Sequence, residues 1–131
     1  MYRAVLIAVD GSHNSVRAAE EAIKLNAEHY TILSVITAED SKESVLHGTG
    51  DSEADRKKEL ADIITKFSGR NFEVMFEHGY PKDKIVEIAN HHNYDLLVIG
   101  TRGLSGLKEV VMGSVSRHVV KQSEINVLVV K

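Results

Sequence analysis

The chain has 131 residues, 43% of them hydrophobic, and carries a formal charge of -3 at pH 7. That length suits one domain around one core, and the slightly acidic balance argues against the strongly basic face of a nucleic-acid binder. With no cysteine, disulfides, thiolate zinc sites and cysteine nucleophiles are excluded, and no apolar run approaches the ~20 residues that a membrane-spanning helix needs.

Residues 4–9 (AVLIAV) are apolar without interruption and stop at Asp10-Gly11-Ser12. A short run with no polar side suits a strand covered on both faces. The strand pattern starts almost at Met1, with no secretory-leader layout, so the expectation is a cytoplasmic protein. Val16, Ala19, Ala22 and Ile23 then share one helical face, with Arg17, Glu20, Glu21 and Lys24 largely opposite. Residues 30–36 (YTILSVI) read as a second strand. From Thr37 to Gly50 the pattern dissolves into polar residues, which predicts a long loop. Ser52-Glu53-Ala54-Asp55 resembles a capping box with Asp in place of Glu, and it opens a second helix. In that helix Leu60, Ile63, Ile64 and Phe67 recur at i, i+3, i+4 and i+7, while the run Asp55-Arg56-Lys57-Lys58-Glu59 reads as a solvated face. Ser68-Gly69 ends the helix and residues 72–76 (FEVMF) form a third strand. Gly79-Tyr80-Pro81 turns the chain into a helix marked by Ile85, Ile88 and Ala89, where proline fits the first turn. Residues 96–99 (LLVI) are a fourth strand, Val115 and Val119 mark a last helix, and residues 126–130 (NVLVV) are a fifth strand.

Four βα units followed by a strand predict a single α/β domain over residues 1–131, with a parallel sheet, helices on both faces and right-handed crossovers. In such sheets ligands bind beyond the carboxyl ends of the strands, where the winding reverses. The informative segment lies after the fourth strand, where four of the nine glycines fall between Gly100 and Ser116. Glycine lets a backbone approach a ligand closely, and Gly113-Ser114 precedes a helical stretch whose unpaired N–H groups favour an anion. The hydroxyls of Ser114 and Ser116 add donors for the same anion. Two readings stay open on spacing alone. Either the segment cradles phosphate, or its glycines only form turns, with Gly113-Ser114 as a helix start. It is neither the Walker pattern nor the dinucleotide fingerprint, which would follow the first strand.

Gly100-x-x-Gly103, nine residues, then Gly113-Ser114 matches the G-2x-G-9x-G-(S/T) signature of ATP-binding universal stress proteins. Val9-Asp10-Gly11-Ser12 is similar to that family's first turn, Gly79-x-Pro81 to its turn before the third helix, and residues 126–130 to its final strand. The resemblance covers essentially the whole chain. It implies a doubly wound five-stranded sheet in the order 3-2-1-4-5, of the adenine-nucleotide alpha-hydrolase type. It also implies ATP as ligand, with Mg²⁺ accompanying the phosphates. By position, Ala8 would line the base pocket and main-chain groups at Val35 would meet adenine. Asp10 would meet the ribose and the metal-phosphate end. Gly100, Arg102, Gly103 and Gly106 would wrap ribose and phosphates, and Gly113, Ser114, Val115 and Ser116 would cradle the phosphates. Ala8 is a departure, because some ATP-binding relatives carry proline there. The resemblance further implies a homodimer in which the last strands, residues 126–131, pair antiparallel across a two-fold axis.

The seven histidines suggest no metal site, since His91 and His92 are adjacent and diverge by about 100° on a helix. His13, beside the Asp10 turn, has the better claim to a place near the nucleotide. No Ser-His-Asp order or paired-carboxylate layout stands out, and phosphoryl transfer usually needs an oriented nucleophile as well as a cradle. No catalytic residue is assigned. The expected protein is an ATP-binding regulatory domain with no nucleic-acid or membrane partner. A slow ATPase of the same fold and a nucleotide-independent dimerisation module are the competing readings.

Overall fold

Five strands form one parallel sheet in the order β3-β2-β1-β4-β5: β1 (Ala4–Ala8), β2 (His29–Ile36), β3 (Phe72–His78), β4 (Leu96–Gly100) and β5 (Asn126–Val130). The computed structural model describes residues 1–101 and 113–131. The order is the one that the family resemblance implied, and the cover on both faces follows from the apolar runs. Strands with no polar side must be covered twice, which requires helical crossovers on both faces.

On one face Val5, Ile7, Ile32 and Val98 pack against Ala18, Ala19 and Ala22 of α1 (His13–Ile23) and against Ile63 of α4 (Ala61–Lys66). On the other, Leu6, Leu33, Leu97 and Ile99 meet Ile85, Ile88 and Ala89 of α5 (Pro81–His91) and Val119 of α6 (Ser114–Gln122). Tyr30 is buried beneath the first layer, its ring edge-on to Phe67 at 5.2 Å. Its hydroxyl donates to Ala22 O (3.0 Å) and accepts from Ala27 N (2.9 Å), pinning the end of α1 to β2. Among the described residues no helix is long and apolar enough to cross a membrane.

Four expectations fail between β2 and β3. Residues 37–50 are not a loop: α2 (Ala38–His47) occupies most of them, started by a complete capping box between Thr37 and Asp40. Its periodicity is hidden because Val45 and Leu46 face solvent while the buried residue is Ser44. The second helix is in fact two, α3 (Ser52–Glu59) and α4, separated at buried Leu60, whose φ of -89° and ψ of 4° interrupt the helical geometry. The N-cap of α3 is Asp51, whose carboxylate accepts from Ala54 N (3.1 Å). Asp55 does not complete a box with Ser52. Its carboxylate instead takes the hydroxyls of Ser44 and Thr49, tying α2 to α3. The charge run is not wholly solvated either, because Arg56 is buried.

Candidate functional site

β1 stops at Ala8 while β2 continues to Ile36, and the last paired residues of the two strands are Ala8 and Leu33. The ladder alternates along β2. His29 and Leu33 bond towards β1, through His29 N to Arg3 O and Val9 N to Leu33 O. Tyr30 and Ile36 bond towards β3, through Tyr30 N to Asn71 O and Gly79 N to Ile36 O. Successive residues of a strand point their main-chain groups to opposite sides, so the N–H and C=O of Val35 face the β1 side, beyond the end of β1. The crevice that opens there lies at the switch point between β1 and β4, where open α/β sheets bind ligands. It holds about 320 Å³, within the range of small-molecule sites.

Its apolar walls come from Ala8, Leu33, Val35, Ile85, Ile99 and Val115. Asp10, Ser12, Asn14 and Ser15 line it from the β1–α1 turn, which Gly11 allows with a φ of +85°. Asp10 Oδ1 accepts from Ser12 N and from Ser15 Oγ, each at 2.9 Å, so the turn holds the carboxylate at the mouth. Opposite, the start of α1 lies hard against the end of β4. A Cβ on Gly100 would stand 2.7 Å from Asn14 O, so this glycine is required by packing. Ser116 Oγ donates to Gly100 O at 2.8 Å, which commits its one proton to joining α6 to β4. The first helical bond of α6 is Arg117 N to Gly113 O (3.0 Å), so the N–H groups of Ser114, Val115 and Ser116 precede the ladder. Gly113 has a φ of -68°, open to any residue; a need for glycine there rests on space rather than torsion.

The far end of the crevice is built from side chains. Arg56 Nη1 donates to Ser34 Oγ (2.7 Å) and to Val35 O (3.4 Å), and Nη2 donates to Asp40 Oδ2 (2.9 Å). Ser34 Oγ in turn donates to Val9 O (2.9 Å), so one guanidinium ties the ends of β1 and β2 to α2. Asp40 Oδ2 also accepts from Thr37 N at 2.9 Å. Burial works against the Asp40 carboxylate, yet the Thr37 N–H, the Arg56 charge and the Thr37 hydroxyl together hold its pKa below the ordinary aspartate value.

The sequence profile of the universal stress protein family matches residues 1–131. The chain belongs to that family. It is 32% identical to universal stress protein MJ0531 of Methanocaldococcus jannaschii, across all of this chain and 83% of that protein. Among solved structures, universal stress protein UspA from Lactobacillus plantarum superposes with a TM-score of 0.78 at 28% identity, covering 99% of this chain and 98% of that one. A universal stress protein solved in complex with cAMP superposes with a TM-score of 0.71 at 28% identity, covering 99% and 97%.

In this universal stress protein Ala8, Asp10, Val35, Gly100, Val115 and Ser116 gather around one crevice. Gly113 and exposed Ser114 stand beside it at the start of α6. Arg102, Gly103 and Gly106 lie outside the described residues. His13 opens α1 but is exposed and does not line the crevice. Asp40 and Arg56 were not anticipated; the only local signal for either was the Thr37-x-x-Asp40 capping box. Among the described residues no three metal-binding side chains converge, so a metal would depend on Asp10 and on the ligand's own oxygens.

Proposed function

We infer that this universal stress protein binds ATP in the crevice and acts as a nucleotide-dependent regulator of a stress response in the cytoplasm. The observation that supports this reading best is the placing of two main-chain features at opposite ends of one cleft. Val35 offers an N–H and a C=O beyond the end of β1, a donor and acceptor that match N1 and the 6-amino group of adenine. The start of α6 offers N–H groups that precede its helical ladder, and the positive end of a helix dipole, to phosphate. The likeness to a universal stress protein solved with cAMP points the same way. In this reading Ala8 walls the base, while Gly100, Arg102, Gly103 and Gly106 surround ribose and phosphates. Gly113, Ser114, Val115 and Ser116 cradle the phosphates. Asp10 meets the ribose and a Mg²⁺ carried by the triphosphate, a metal that one carboxylate and phosphate oxygens suffice to hold.

Calorimetric titration tests it. ATP binds the wild type, and Gly113→Val lowers affinity at least ~10-fold, about 1.4 kcal/mol, because a side chain occupies the phosphate's approach. A folded Gly113→Val protein with unchanged affinity removes the cradle. ATP is held rather than consumed quickly. The donors of the crevice hold phosphate charge already present in the bound nucleotide, whereas catalysis needs stabilisation that is stronger in the transition state, and no general base is assigned. Turnover stays below the ~1 s⁻¹ at the low end of typical enzymes. Faster hydrolysis that disappears in Gly113→Val favours an ATPase.

The chain also forms a homodimer through β5, an edge strand whose Val127, Leu128 and Val129 are only half buried. Leu128→Lys shifts it towards monomer in sedimentation, whereas buried Val130 probes folding instead. A wild type that sediments as a monomer at high concentration refutes the dimer.

A further inference from the structure

We propose that Asp40 selects the base: its carboxylate, held by Arg56 beside the main chain of Val35, favours a purine with an amino group at C6 over one with a carbonyl there. This rests on the nucleotide reading above and specifies which base the crevice takes. Arg56 touches Val35 O through Nη1 and Asp40 Oδ2 through Nη2, so the two oxygens sit on neighbouring arms of one guanidinium. Both residues line the crevice. A purine paired with the main chain of Val35 therefore brings its C6 substituent up to the carboxylate.

A guanidinium at the same place would favour the opposite choice, because it donates. The contacts decide between them. Arg56 spends Nη1 on Ser34 Oγ and Val35 O and Nη2 on Asp40, and its Nε faces Glu59 Oε2 at 3.4 Å. Its side chain is 8% exposed, against 40% for Asp40, so the charge that an incoming base meets is the acceptor. The Thr37 N–H and Arg56 bonds to Asp40 both fall on Oδ2, and even with the Thr37 hydroxyl beside it the carboxylate keeps acceptor capacity on Oδ1. An amino group donates to it; a carbonyl sets lone pairs against a charge, and a polar site rejects an analogue that leaves its groups unpaired. The carboxyl, held below its ordinary pKa, is ionised at neutral pH.

The test titrates ATP and ITP, whose bases differ by amino against carbonyl at C6 and by a bare against a protonated N1, into the wild-type protein and into Asp40→Asn, so that the change in preference between the two proteins, rather than the preference itself, reads the carboxylate. Asn retains the cap on Thr37 N and an oxygen for Arg56, yet can turn its NH₂ towards a carbonyl. The wild type prefers ATP at least ~10-fold, and Asp40→Asn lowers that preference about fivefold, chiefly by binding ITP more tightly. A purely structural role for Asp40 weakens both nucleotides alike and leaves the ratio unchanged; that result overturns the proposal while the nucleotide reading stands. A wild type that binds ATP and ITP equally overturns it even if the variant does not fold. A wild type that binds neither overturns both.

Discussion

At the end of the crevice beside β2, positioning is done by side chains: Arg56 reaches back to Ser34 and Val35 and across to Asp40, joining residues far apart in sequence. At the end beside β4 it is done mostly by the backbone, where the start of α1 meets Gly100, with Ser116 of α6 adding one side-chain bond to the same residue. A backbone cradle needs little more than small residues at fixed spacing, so it leaves a glycine pattern behind. A side-chain network needs only that distant groups arrive together, and many residue choices satisfy it. The same difference separates Gly100 from Gly113 within one motif. The first is excluded from carrying a Cβ by Asn14, and the second has an ordinary backbone torsion.

That contrast predicts that the glycines fail differently. Gly100→Val drives a branched side chain into the Asn14 main chain and costs about 3 kcal/mol or more of folding stability. Urea unfolding measures it; a Gly100→Val protein as stable as wild type would place the glycine's importance in the ligand instead. Arg56→Met comes next, at about 2 kcal/mol, because Ser34 Oγ and Val35 O lose a charged donor while Asp40, partly exposed, recovers some solvation. Its effect depends on pH. Asp40 has a lowered folded pKa, so its pairing stabilises the fold above the unfolded value of about 4 and is lost as pH falls through the lower folded value. The stability gap between wild type and Arg56→Met therefore narrows in acid, and a gap constant from pH 7 to pH 3 would remove the ion pair from the explanation. Thr37→Ala is smallest, about 1 kcal/mol for the lost cap of α2. Thermal unfolding follows it, and an unchanged midpoint would show α2 to be held by Asp55 rather than by its own start.

β1 and β4 were legible because they are apolar on both sides, a pattern that survives without knowledge of neighbours, the other strands because they are rich in β-branched and aromatic residues, and α5 because Ile85, Ile88 and Ala89 keep helical spacing. α2 was not, since its apolar residues Val45 and Leu46 lie on the solvent side and its anchor, Ser44, is polar. Arg56 was read as solvated for a similar reason. Its burial depends on Asp40 and Ser34, sixteen and twenty-two residues earlier, and no local window contains that information. The crevice itself followed from the strand order, whereas Asp40 and Arg56 at its far end came from the segment whose structure was misjudged.

The central position of β1 has a consequence for how the chain is made. Its first edge is completed early, when Ala4–Ala8 pairs with residues of β2, but its second edge waits for β4, where Val5 meets Leu96. On the ribosome the most apolar strand of the sheet thus spends most of synthesis with one side unpaired. Such long-range parallel pairing is slow to form, because a long loop must close before any contact across it is gained. The completed domain cannot precede the arrival of its last third, so the crevice, which is lined from the ends of both β1 and β4, is assembled late in the life of the nascent chain.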